Sequence, residues 1–203
     1  MSPARMDPAL KKAVVEQLEE SASVLKATAD QADAIAAIGA LLTETFRRGN
    51  KILTFGNGGS ACDAQNFADE LVGRFRRNRP PLPAVALTVN SADLTSIAND
   101  FGYEHVFARQ LEAHAKPGDV AVAISTSGNS PNVLKALEAA KRLGLTTIGL
   151  TGKSGGKMRP MVDHCVCVPS TAVARIQEAH IAIIQILCEL IESALYPDAP
   201  RAH

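Results

Sequence analysis

The spacing of apolar residues along the chain changes period several times. Val14, Val15, Leu18, Ala22 and Leu25 recur at helical spacing, and so do Ile35, Ile38, Leu41, Leu42 and Phe46. These stripes predict two helices, over 8–29 and 32–48, the second stopped by Gly49. The period then shortens. Residues 51–55, 84–88, 120–124, 146–151 and 165–168 are short runs of apolar and β-branched residues and read as buried strands. Helices are expected between them, over 60–75, near Ala92, and from the loop after the third run to about Leu143. A last helix is expected over 172–195, with Pro197 ending it. Strands that alternate with helices imply an α/β fold whose parallel sheet is covered on both faces. No linker divides the chain, so 1–203 reads as a single domain: a helical hairpin over 8–48, an α/β core over 50–196 and a loose tail over 198–203.

Composition narrows the function classes. The 203 residues are 46% apolar, with 21 Lys plus Arg balanced by 21 Asp plus Glu. A zero net charge offers no general reason to bind nucleic acid or an anionic membrane. No apolar run approaches the length of a membrane span, and the polar start from Met1 to Lys12 does not resemble a signal peptide, so a cytoplasmic location is expected. Cys62, Cys165, Cys167 and Cys188 match neither a zinc motif nor a disulfide framework, and read as buried, reduced thiols. Arg74, Arg76, Arg77 and Arg79 form one basic cluster, placed at the end of a predicted helix, where its dipole favours positive charge.

Candidate chemistry lies in two loops. Gly56-Asn57-Gly58-Gly59-Ser60 and Ser125-Thr126-Ser127-Gly128-Asn129-Ser130 each follow a buried strand and open a helix. Free N–H groups and the positive helix end then point to one place, small residues admit an anion to the backbone, and the hydroxyls add donors for phosphate oxygens. A nucleotide cofactor is not expected. Gly56, Gly58 and Ala61 satisfy a dinucleotide fingerprint, but the acidic residue at the end of the next strand is absent. Gly152-Lys153-Ser154 lacks the first glycine of a phosphate-binding P-loop, its place being Thr147.

These loops, with Asn99-Asp100-Phe101-Gly102, Leu150-Thr151-Gly152 and Arg175-Ile176-Gln177-Glu178 in this order, resemble the phosphoheptose isomerases of the SIS (sugar isomerase) family. The resemblance runs from the first helix to Leu195. It implies a three-layer, flavodoxin-like sandwich with a five-stranded parallel sheet, assembled as a homotetramer with sites at subunit interfaces. It also implies conversion of sedoheptulose 7-phosphate to D-glycero-D-manno-heptose 7-phosphate in cell-surface heptose synthesis. By resemblance Asn57, Gly58, Gly59, Ser60, Asn99 and Asp100 contact the sugar, and Ser125, Thr126, Ser127 and Ser130 hold its phosphate. Glu70 matches the catalytic glutamate, and Gln177 a glutamine that contacts substrate and metal. Aldose–ketose exchange needs a base at carbon and an acid or electrophile at oxygen, and a partly desolvated helix glutamate suits the first task.

The chain departs from the family at two positions. Zinc is implied on Glu70, Gln177 and two histidines, but Asn66 and Gln185 stand where those histidines belong. Amides are poor zinc ligands beside imidazole, so weak or no zinc binding is expected. The position of Gln185 is also that of the family's general acid, and an amide delivers no proton at ordinary pH. His180, three residues beyond Gln177, is the candidate replacement acid. His105, His114 and His164 read as surface or loop residues. Two non-catalytic readings stay open: an SIS tetramer that binds the replication initiator, and a phosphosugar-sensing module.

Overall fold

In the computed structural model, which describes residues 7–201, helices α1 (Pro8–Thr28) and α2 (Ala32–Arg47) precede strand β1 (Ile52–Gly56). Then come α3 (Gly59–Val72), β2 (Ala84–Ala86), α4 (Ser91–Phe101), α5 (Val106–His114) and β3 (Val120–Ser125). The chain closes with α6 (Pro131–Arg142), β4 (Thr146–Gly152), β5 (His164–Val168) and α7 (Val173–Leu195). Helix starts follow local chemistry. Asp7 caps α1 by accepting from Ala9 N at 2.9 Å, with Pro8 as the first helical residue, and Asn90 caps α4 through Ala92 N and Asp93 N.

All five strands are parallel, in the order β2-β1-β3-β4-β5. Burial alternates by face, as strand geometry requires. Ile52, Val120, Val122, Ile124, Ile148, Leu150, Val166 and Val168 meet α2, α3 and α7 on one side. Leu53, Phe55, Ala121 and Ala123 meet α5 and α6 on the other. This is the expected three-layer sandwich. The hydroxyl of buried Thr54 avoids a desolvation penalty by donating to Ala64 O in α3 at 2.7 Å. From β1 the chain crosses to β2 on one side and later returns to β3 on the other. The strand order therefore reverses between β1 and β3, where a crevice opens beyond their carboxyl ends.

Several expectations are corrected. Helix α5 carries Val106, Phe107 and Leu111 into the core and was not anticipated. Helix α3 stops at Val72, three residues early, because Glu192 of α7 captures the following segment: its carboxylate accepts from Phe75 N, Arg76 N and Arg77 N at 2.8–2.9 Å. Arg79 lies past the end of α3 rather than on it. It is buried, pairs with Glu192 at 2.8 Å, and donates to Glu70 O at 2.8 Å and Leu71 O at 2.6 Å, closing the open carbonyls at the end of α3. The tail is held as far as Arg201: Arg77 donates to Pro197 O and Ala199 O, Asn78 N donates to Pro200 O, and Arg77 bridges Arg201; residues 202 and 203 lie outside the described residues. Of the four free thiols, Cys188 is buried and Cys62 is exposed. No helix among the described residues is long and apolar enough to cross a membrane.

Candidate active site

The two loops flank the crevice between β1 and β3. Gly56 lets β1 turn sharply into α3, since a Cβ there would lie 2.6 Å from Ile124 O. Gly58 adopts φ +57°, a conformation that favours glycine. Asn57 is thereby set at the mouth of the crevice in a reciprocal amide pair with Asn132 of α6. Each Nδ2 donates to the other's Oδ1 at 2.8 Å. Val133 N also donates to Asn132 Oδ1, and the Tyr103 hydroxyl donates to Asn57 Oδ1 at 3.1 Å. The cavity here, about 300 Å³, is lined by Asn57, Tyr103, Glu104, Ser130, Pro131 and Asn132.

The second loop wraps around the same opening. Ser125 is buried, and its Oγ accepts from Gly128 N at 3.2 Å and lies 3.4 Å from Ser130 Oγ. Ser130 precedes α6 without capping it through its side chain, so its hydroxyl remains available beside the helix N-terminus. Thr126 is half-buried and Ser127 exposed. Ser60 is buried in the first turn of α3, close against Gly56. Asn99 and Asp100 are exposed on α4 and bonded to each other, and no hydrogen bond joins them to either loop among the described residues.

A second cluster lies where α3 meets α7. Gly59, Asp63, Asn66 and Glu70 fall on one stripe of α3 at helical spacing. The Gln177 amide rests so closely on Gly59 that a Cβ there would overlap it. Farther along, Gln185 Nε2 donates at 3.2 Å both to Asn66 Oδ1 and to Glu70 Oε1. Between these contacts Asp63 is buried, its Oδ2 has no partner among the described residues, and burial pushes its pKa up to about 6.

His180 does not join this cluster. It is fully buried on α7, its Nε2 lies 3.1 Å from Thr151 O, and burial lowers its pKa to about 4, partly opposed by that bond. It is a neutral ring braced against β4, and the expectation of a replacement acid is corrected on that ground. Zinc has little to bind. The implied donors are one carboxylate, Glu70, and three amides, Asn66, Gln177 and Gln185, with Asn66 Oδ1 and Glu70 Oε1 already accepting from Gln185. This set does not fit zinc. Nor do three or more His, Cys, Asp or Glu gather into a possible metal site among the described residues.

Sequence reasoning missed Tyr103, Asn132 and Asp63. Asn132 had a usable signal, as an amide in the first turn of the helix that opens from the serine loop. Tyr103 and Asp63 had none, because their contacts and burial come from distant segments.

Comparison with known proteins finds similar chains. A family model described as the SIS domain matches residues 17–152. A phosphoheptose isomerase of Roseiflexus sp. (strain RS-1) is 51% identical over 186 residues, covering 91% of this chain and 94% of its own. The solved phosphoheptose isomerase of Neisseria gonorrhoeae superposes with a TM-score of 0.86 at 40% identity, over 91% of this chain and 99% of that one. That of Francisella tularensis gives 0.88 at 37% identity, over 92% and 100%.

Proposed function

The chain belongs to the SIS family, among its phosphoheptose isomerases, and from that premise we propose that it converts sedoheptulose 7-phosphate to D-glycero-D-manno-heptose 7-phosphate through an enediol. The observation that carries the reading is the serine loop, which sets hydroxyls and the N-terminus of α6 at the cavity beyond β1 and β3. Ser125, Thr126, Ser127 and Ser130, with the N-terminus of α6, hold the phosphate. Asn57, fixed by Asn132 and Tyr103, orients the sugar. Glu70 takes the proton from C1 and returns it at C2, moving the carbonyl from C2 to C1. Gln177 orients the sugar from the α7 side.

A homotetramer in the cytoplasm suits this reading. Helix α1 leaves Leu10, Val14, Val15, Leu18 and Leu25 exposed, an apolar stripe that a second copy of the chain would cover.

The test is turnover of sedoheptulose 7-phosphate by the purified protein and by Glu70→Gln. Turnover that falls by roughly two to four orders of magnitude in the variant, with its melting temperature retained, supports the assignment. A folded wild type that binds the sugar phosphate in calorimetry without converting it selects the phosphosugar-sensing reading, which the missing imidazoles favour.

A further inference from the structure

On α3, Asn66 precedes Glu70 by four residues, so their side chains stack one turn apart on the same face. Gln185 ties them together, its Nε2 donating at 3.2 Å both to Asn66 Oδ1 and to Glu70 Oε1. Two consequences follow. The Glu70 carboxylate is fixed by a neutral donor, which leaves its second oxygen free of Gln185. The Asn66 amide is fixed in orientation, because its oxygen accepts and its nitrogen must therefore point away from Gln185. No protein acceptor takes the Asn66 Nδ2 hydrogens among the described residues, and this atom is not among the buried groups left without partners. A carboxylate and an amide with uncommitted N–H donors thus lie side by side in the seam.

That is the equipment enolisation requires. When a base removes a proton from the carbon beside a carbonyl, negative charge gathers on the carbonyl oxygen. Oriented N–H groups stabilise that charge without reorganising, and they act more strongly where water is excluded. An imidazole-bound metal would do the same work as a Lewis acid, but one carboxylate and three amides are a poor set for zinc.

We propose that this isomerase works without a metal, the Asn66 amide serving as the electrophile at the sugar carbonyl and Gln185 as the residue that positions both Asn66 and Glu70. The inference rests on the isomerase reading above. Glu70 removes the C1 proton while the C1–C2 double bond forms and O2 becomes an oxyanion facing Asn66. Glu70 then delivers that proton to C2 as the hydroxyl proton of O1 passes to O2, leaving the aldehyde at C1. Atoms and charge balance with no oxidant or reductant.

Zinc titration and elemental analysis of the wild-type protein give a readout independent of turnover. The expected result is zinc far below one per chain, no tight site in calorimetry, and turnover indifferent to a chelator. The Asn66→His/Gln185→His double variant should acquire one tight zinc per chain and a visible cobalt(II) absorption band that the wild type lacks. In metal-free buffer, Asn66→Leu and Gln185→Leu should each lower kcat by roughly 10²-fold, the scale seen on removing one oxyanion donor, while KM and melting temperature change little. Tight stoichiometric zinc in the wild type, or chelator-sensitive turnover restored by zinc, would overturn the metal-free claim. Unchanged kcat in Asn66→Leu would overturn the role of the amide. A wild type with no turnover overturns the isomerase reading and the electrophile together, while the zinc titration still decides the metal question.

Discussion

Two regions of the candidate site, a loop wall and a seam wall, are built on different principles. The loop wall, formed by the segments after β1 and β3, is mostly backbone: tight turns, small residues and a helix N-terminus, with side chains adding hydroxyls at the rim. The seam wall, between α3 and α7, depends on side-chain identity. Gln185 of α7 meets Asn66 and Glu70 of α3, Gln177 rests on Gly59 at the start of that helix, and little of the backbone takes part. In the function proposed above, the first wall would grip a phosphate, whose geometry hardly varies among sugars, and the second would act on the carbons, so the amides at Asn66 and Gln185 bear on the second alone.

The sharpest way to break the seam is at its far end. Glu192→Gln leaves Arg79 buried without its carboxylate and weakens acceptance from three backbone N–H groups. A loss of about 3–5 kcal/mol in urea unfolding is expected, the range for breaking a buried pair from one side. A loss below about 1 kcal/mol, as for an exposed pair, would show that α3 does not depend on this anchor.

Next in size is a pair of opposed pH effects. Asp63, its pKa raised to about 6 by burial, binds its proton more tightly in the folded chain, so it weakens stability as pH rises from about 4 to 6. His180, lowered to about 4, binds its proton less tightly in the folded chain, so it strengthens stability over the same rise and up to its ordinary value. The two slopes oppose one another, so the intact chain should show a flatter pH dependence than either group alone would give. Asp63→Asn should uncover a stability that climbs between about pH 4 and 6, and His180→Asn one that falls. Equal slopes in the two variants would show that these groups are not buried as described.

The smallest effect belongs to the loop wall. Ser130→Ala should raise KM roughly tenfold, about 1.4 kcal/mol, by removing one hydroxyl donor to phosphate, and leave kcat near the wild-type value. A fall in kcat instead would mean that the two walls are not separable.

The same division explains what could be read from the sequence. Strands and the glycine- and serine-rich loops were legible because buried apolar runs and turn residues are local signals. The three-layer sheet followed from them, as did the choice of the serine loop as a candidate. Helix α5 was missed because it is short and follows α4 after a single turn, so no long periodic stripe marks it. The early end of α3 and the held tail depend on Glu192 and Arg77, which act over more than a hundred residues of sequence. In the seam, Asn66 and Gln185 could be noted as departures, but their bond to each other and to Glu70 was not implied by either residue type. His180 had the right residue type for an acid, and only its burial against Thr151 O removed it.

The held tail has a practical consequence for handling the protein. Acceptors at Pro197, Ala199 and Pro200 grip the segment that follows α3, the same segment that Glu192 holds from α7. A chain cut back to Tyr196 loses those acceptors, and with them part of the mooring of the segment that follows α3. Its melting temperature should fall below that of the intact chain, and kinetic constants are best compared between chains that keep the tail.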